Sequence, residues 1–178
     1  MFDEEASPVR NALQSIHLFS DVLDPAQMDQ LAYECTLVRF RTGDILMRQG
    51  EHATSMYCVI KGLLSLQFVD HLQRVRKIRE LGAGNVVGEI ELLTGAPRLA
   101  TVIAASNSET LEIKEGALRK IFALSPDLLE SFAANVALRE QMLRNIADDP
   151  AGAWKAKILR EARKVFPPNL RRSVRRHW

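Results

Sequence analysis

The sequence predicts a mostly β domain with flanking helices: an antiparallel, jelly-roll-like β-roll with N-terminal helices and two C-terminal closing helices. Three observations predict it. Apolar residues follow helical spacing before residue 35 and again after residue 114. Between those limits the apolar runs are short, and turn residues separate them at near-regular intervals. No helical pattern interrupts that rhythm, which excludes a parallel α/β arrangement and favours an antiparallel roll or barrel.

The elements follow in order. Ser7-Pro8 suits a helix start, and Val9, Leu13, Ile16 and Phe19 fall at helical spacing over residues 8–19. Asp24-Pro25 opens a second helix over 25–34. Seven strands are then expected at 36–41, 44–48, 55–60, 63–69, 74–81, 99–105 and 109–113. Thr-Gly-Asp at 42–44, Gly50-Glu51, Lys61-Gly62, Gly-Ala-Gly-Asn at 82–85 and Ser-Asn-Ser at 106–108 mark turns. Helical spacing returns at 115–124 and, after Ser125-Pro126, over 127–147, where Leu129, Phe132, Val136, Arg139, Leu143 and Ile146 form one stripe. A last amphipathic helix is expected at 151–166, with Trp154, Ile158, Ala162 and Val165 on one face and basic residues on the other. It reads first as a solvated helix followed by a disordered tail, with docking of the Trp154 face on the domain or on a partner, and contact with an anionic membrane surface, as the alternatives. The chain thus divides into a domain over 1–149, with its core at 9–147, and a basic segment over 150–178.

Charge follows the same division. Residues 150–178 carry nine Lys/Arg and one acid, a charge of +8, which leaves 15 basic and 21 acidic residues, or −6, in 1–149. An acidic body argues against a nucleic-acid surface there, so any anion site must be assembled locally. No apolar run approaches the ~18 residues of a membrane span, and the acidic start MFDEEAS is unlike a signal peptide. A cytoplasmic chain, or the cytosolic face of a membrane protein, is expected. Cys35 and Cys58 stand in separate apolar segments and read as buried thiols.

The informative stretch is GAGNVVGEIELLTGAPRLATV, residues 82–102. A Gly-Glu pair is followed, nine residues after the Glu, by an Arg preceded by Pro, all between two strands. Gly88 permits close backbone approach. Arg98 can present a two-pronged fork to the non-bridging oxygens of a phosphate. Glu89 can accept a hydrogen bond from a sugar hydroxyl.

Residues 88–102 resemble the phosphate-binding cassette of the cyclic nucleotide-binding domain family, and the similarity extends over about 9–147. The resemblance implies a cyclic nucleotide as ligand. Gly88 and Glu89, followed by Ile90, match the ribose-binding pair, and Arg98 matches the phosphate-binding arginine. Leu99 and Ala100 stand where backbone N–H groups face the phosphate. Leu66 and Ile78 match positions that wall the base, and Arg139 aligns with a base-capping position on the closing helix. Three residues depart from the pattern: Leu99 for Ser, Ala or Thr, Glu91 for a small residue, and Val87 for an aromatic. Leu99 offers guanine no hydroxyl, so cAMP is expected in preference to cGMP. Glu91 is expected to face solvent, away from a phosphate it would repel.

Enzyme chemistry is not expected. His17, His52, His71 and His177 are scattered without metal-ligand spacing, and no nucleophile arrangement, P-loop or dinucleotide fingerprint occurs. No cofactor is expected beyond the cAMP or cGMP ligand, and no metal. The reading is a regulatory sensor of signal transduction whose closing helix moves on binding. Its partner is a protein effector or a membrane-protein host. Alternatives are a detached cytosolic gating domain of a bacterial channel or transporter, and a chain of this fold that has lost ligand binding. A transcription regulator lacking its winged helix ranks below these. The 31 residues after Ala147 hold one helix and a tail, so sequence-specific nucleic-acid binding is not expected.

Overall fold

The computed structural model describes residues 7–144 and 159–167. Helices α1 (Pro8–Gln14), α2 (His17–Ser20) and α3 (Pro25–Glu34) lead into eight strands. These are β1 (Thr36–Phe40), β2 (Ile45–Met47), β3 (Ser55–Lys61), β4 (Leu64–Val69), β5 (Val75–Leu81), β6 (Val86–Val87), β7 (Thr101–Ala104) and β8 (Ser108–Lys114). Helix α4 (Glu89–Thr94) interrupts them between β6 and β7, and α5 (Glu115–Leu124) and α6 (Pro126–Arg144) close the domain.

The strands form two four-stranded antiparallel sheets, ordered β1-β8-β3-β6 and β2-β7-β4-β5. The roll expected from the strand rhythm is what forms. Val86–Val87 adds an eighth strand, paired with Tyr57 and Cys58. Two residues are too short to show a period of two, so only pairing reveals them as a strand.

Side-chain alternation on β3 explains why its sequence is apolar without a break from Met56 to Ile60. Met56 and Cys58 join a core shared with α1, α2, α3, α5 and α6, while Tyr57 and Val59 enter the roll with Leu64, Leu66, Leu81, Val87 and Val102. A strand covered on both faces reads as a continuous apolar run. By contrast β5, at the edge of its sheet, exposes Arg76 and Lys77, charges that discourage edge-to-edge pairing.

The leading helix differs from expectation. Residues 8–19 form two helices because the chain turns at Ser15-Ile16. The Ser15 hydroxyl donates to the Ala12 carbonyl at 2.6 Å, and Ile16 is extended at φ −99°, ψ 108°. That break buries Leu13, Ile16, Leu18 and Phe19 together, which one straight helix would not do. Helix α3 begins as expected, with a reciprocal capping box. Asp24 Oδ1 accepts from the Gln27 N–H at 2.8 Å, and Gln27 Oε1 accepts from the Asp24 N–H at 2.9 Å.

Where it is described, the basic segment follows the docking alternative and not the solvated one. Residues 159–165 are helical, and Ala162 and Phe166 are buried in the helical core. The Phe166 ring meets Phe122 edge-on at 5.2 Å, and the Arg119 guanidinium lies 5.2 Å from its centroid. Trp154, Ile158 and the tail from 168 onward lie outside the described residues. No helix among the described residues is long and apolar enough to cross a membrane.

Candidate ligand-binding site

The Gly-Glu to Pro-Arg segment folds into one wall of a cavity of about 450 Å³ at the side of the roll. Gly88 caps α4 with φ +84°, a left-handed conformation that disfavours a side chain. A Cβ there would also lie 2.5 Å from Arg98 Nη1 and 2.9 Å from Met47 Cε. Leu92 and Leu93 bury the opposite face of α4 in the helical core, so the short helix is held by packing rather than by its own length. Gly95, at φ +70°, ends it with its N–H donated to the Glu91 carbonyl at 2.8 Å.

Backbone hydrogen bonds then tie the returning chain to the 49–51 turn. The Arg98 N–H donates to the Glu51 carbonyl at 2.9 Å, and the Gly50 N–H donates to the Arg98 carbonyl at 2.8 Å. Gln49 extends the tie in two directions. Its backbone N–H donates to Thr101 Oγ1 at 3.0 Å, and its side-chain amide bonds both the N–H and the carbonyl of Val69. Gln49 thus braces the cassette against β4.

Seven residues expected at the site line this cavity together: Leu66, Ile78, Gly88, Glu89, Ile90, Leu99 and Ala100. Glu89 is 7% exposed and Leu66 8%, whereas Leu99 and Ile78, at 54% and 55%, stand at the mouth. Arg98 lies behind the wall. It is 5% exposed, with Nη1 donating to the Gly88 carbonyl at 3.0 Å and Nη2 donating to the Ser55 carbonyl. Burial pulls its pKa below the ordinary arginine value, while the charges of Glu91, Tyr57, Glu51 and Glu89 act in the opposite direction. Arg139 falls on α6, but its side chain lies outside the described residues.

Three further residues share the lining: Val87, Arg79 and Glu91. Glu91 corrects the expectation that it faces solvent. It is half-buried in the cavity wall, and its Oε1 accepts the Leu99 N–H at 3.3 Å. Helical position explains this: two residues beyond Glu89, on a helix whose Leu92 and Leu93 must point inward, the third residue is left facing the returning chain before β7. Arg79 escaped sequence reasoning. Its place opposite Leu66 in the β4–β5 register puts it beside a cavity-lining residue, and its Nε is buried with no hydrogen-bond partner. Among the described residues, no group of three or more His, Cys, Asp or Glu converges to hold a metal.

The sequence model of the cyclic nucleotide-binding domain matches residues 37–125. The chain is 28% identical over 109 residues to the cAMP-activated global transcriptional regulator CRP of Escherichia coli O6:H1, which covers 61% of this chain and 52% of the regulator. It is 33% identical over 89 residues to a cyclic nucleotide-gated potassium channel of Rhizobium etli, covering 50% of this chain and 23% of the channel. The chain therefore spans about half the length of the regulator and less of the channel. Among solved structures, the N-terminal domain of a transcriptional regulator from Streptomyces coelicolor A3(2) superposes with a TM-score of 0.63 at 24% identity, covering 78% of this chain and 99% of that one. With the family pattern matching half the chain and its cassette folded against a cavity of the roll, the chain belongs to the cyclic nucleotide-binding domain family.

Proposed function

We propose that this chain is a regulatory sensor that binds one cyclic nucleotide per chain in the cavity beside α4, and that it performs no catalysis. One observation carries the reading: Gly88, Glu89, Leu99 and Ala100, separated by up to twelve positions in sequence, line a single cavity with the apolar Leu66 and Ile78 opposite. A polar cassette facing apolar walls suits a ligand with an anionic sugar phosphate at one end and a flat base at the other. Glu89 accepts from the ribose 2′-hydroxyl. Arg98, held behind the wall at the carbonyls of Gly88 and Ser55, sets the backbone of the cassette and places a positive charge close behind the phosphate position.

cAMP is the ligand favoured by the cassette, because Leu99 provides no hydroxyl for the guanine amino group. Arg139 on α6 covers the base and couples binding to movement of that helix. The output passes to a protein effector or to a membrane-protein host at its cytoplasmic face. The likeness to a cyclic nucleotide-gated potassium channel favours a gating role, and the likeness to a cAMP-activated regulator favours a free receptor.

Titration calorimetry of the purified chain with cAMP and with cGMP tests the reading. One site per chain, with cAMP at least as tight as cGMP, is the expected result. A folded chain that gives no heat with either nucleotide at millimolar concentration overturns it.

A further inference from the structure

Glu91 stands in the wall of the cavity with its carboxylate on the N–H of Leu99, 3.3 Å away. That N–H is one of the donors that the cyclic-nucleotide reading assigns to the ligand's phosphate. A carboxylate and a phosphodiester make the same demand on such a donor, since both are acceptor-only oxygen anions. One N–H does not serve both.

Its charge acts on the same neighbours. Glu91 is the foremost negative charge acting on the buried Arg98 guanidinium, ahead of Glu89. An entering phosphate therefore meets a wall that carries two carboxylates, Glu89 and Glu91, against one guanidinium, Arg79, while Arg98 behind the wall is engaged with the carbonyls of Gly88 and Ser55. Partial burial weakens solvent screening of that repulsion. Glu89 has a role in holding the ribose; Glu91 has none on the nucleotide.

We infer that Glu91 is a specificity-determining residue whose carboxylate occupies the phosphate position of the cavity, so that an anionic ligand binds only by displacing it from the Leu99 N–H. The inference rests on the cyclic-nucleotide reading and adds to it an internal competitor that sets the affinity low. It predicts an uncommon outcome, a substitution inside the binding wall that tightens binding.

The test is calorimetry of the full chain, of Glu91→Gln and of Glu91→Ala, each titrated with cAMP and with adenosine as an uncharged probe of the same base and sugar. Glu91→Gln keeps an acceptor for the Leu99 N–H and removes the charge; Glu91→Ala removes both. Glu91→Ala is expected to bind cAMP at least tenfold tighter than the parent chain, with Glu91→Gln between them and adenosine changed less than threefold. Binding of cAMP by the variants where the parent shows none supports the inference equally. Equal cAMP affinity in all three chains overturns the inference and leaves the cyclic-nucleotide reading intact. So does equal tightening for adenosine, which assigns the gain to space rather than charge. A lack of cAMP binding in all three folded chains overturns the reading itself, and the inference with it.

Discussion

Arg98 and Gly88 hold each other in place: the guanidinium Nη1 donates to the Gly88 carbonyl at 3.0 Å, across ten residues of sequence, and fills the space that a side chain on residue 88 would need. The arginine thus supports the turn that opens the cassette, and the glycine keeps the arginine buried.

Each partner yields a separable prediction. Arg98→Ala leaves the carbonyls of Gly88 and Ser55 without their donor, a cost of about 1–3 kcal/mol in folding stability. It is also expected to weaken cAMP binding by roughly 2–5 kcal/mol, at least tenfold. Gly88→Ala forces a Cβ into a left-handed backbone, costing about 1–2 kcal/mol before any displacement of the guanidinium. Urea unfolding and calorimetry on both variants separate the two effects; unchanged cAMP affinity in Arg98→Ala removes this residue from the site.

Leu99 is half-exposed at the cavity mouth and contributes only its backbone to the polar wall. Leu99→Thr supplies a hydroxyl there and should improve cGMP relative to cAMP by about 1 kcal/mol, the worth of one hydrogen bond. Competition titration reads the ratio, and a ratio that does not move places residue 99 away from the base.

Phe166 anchors the described end of the basic segment between Phe122 and Arg119. Phe166→Ala removes a large buried ring and should cost about 3 kcal/mol in urea unfolding, the lower end for such truncations. It should also make residues 159–165 the first site of limited proteolysis. A stability loss below 1 kcal/mol means that the segment is not part of the cooperative core.

Arg79 holds a buried Nε–H with no partner beside the cavity. Leaving such a donor unsatisfied costs about 1–3 kcal/mol, so Arg79→Leu should raise the melting temperature of the unliganded chain. The same change should reduce the further rise caused by cAMP, since a ligand acceptor satisfies the donor in the parent. Equal ligand-induced shifts in both chains mean that Arg79 does not reach the nucleotide.

Of the two thiols expected to be buried, Cys58 is and Cys35 is half-buried; the Cys35 thiol is nevertheless raised from the ordinary 9.0 to about 12, first by partial burial and second by the neighbouring Glu34 charge. Its thiol stays protonated in the fold, so alkylation by iodoacetamide at pH 8 should be far slower than in urea. The sign for stability follows. The contribution is complete below pH 9, where the unfolded thiol is also protonated, and is lost as pH rises from 9 towards 12 because only the unfolded chain ionises readily. Equal alkylation rates with and without urea contradict the raised pKa.

What the sequence by itself determined was whatever is encoded locally. Strand and helix periods, the Asp24-Pro25 start and the turn residues describe the roll and its flanking helices, because each depends on residues a few positions apart. The spacing of Gly88, Glu89 and Arg98 marks the family for the same reason. Tertiary structure alone decided where the charges go. Arg98 finds a carbonyl 43 residues away at Ser55, Glu91 turns to Leu99 instead of to solvent, and Arg79 enters the wall through its register with Leu66. The break at Ser15-Ile16, the two-residue strand Val86–Val87 and the burial of Phe166 belong with them. A charged or short element carries no periodic signal strong enough to state its direction; only the surfaces that pack around it do.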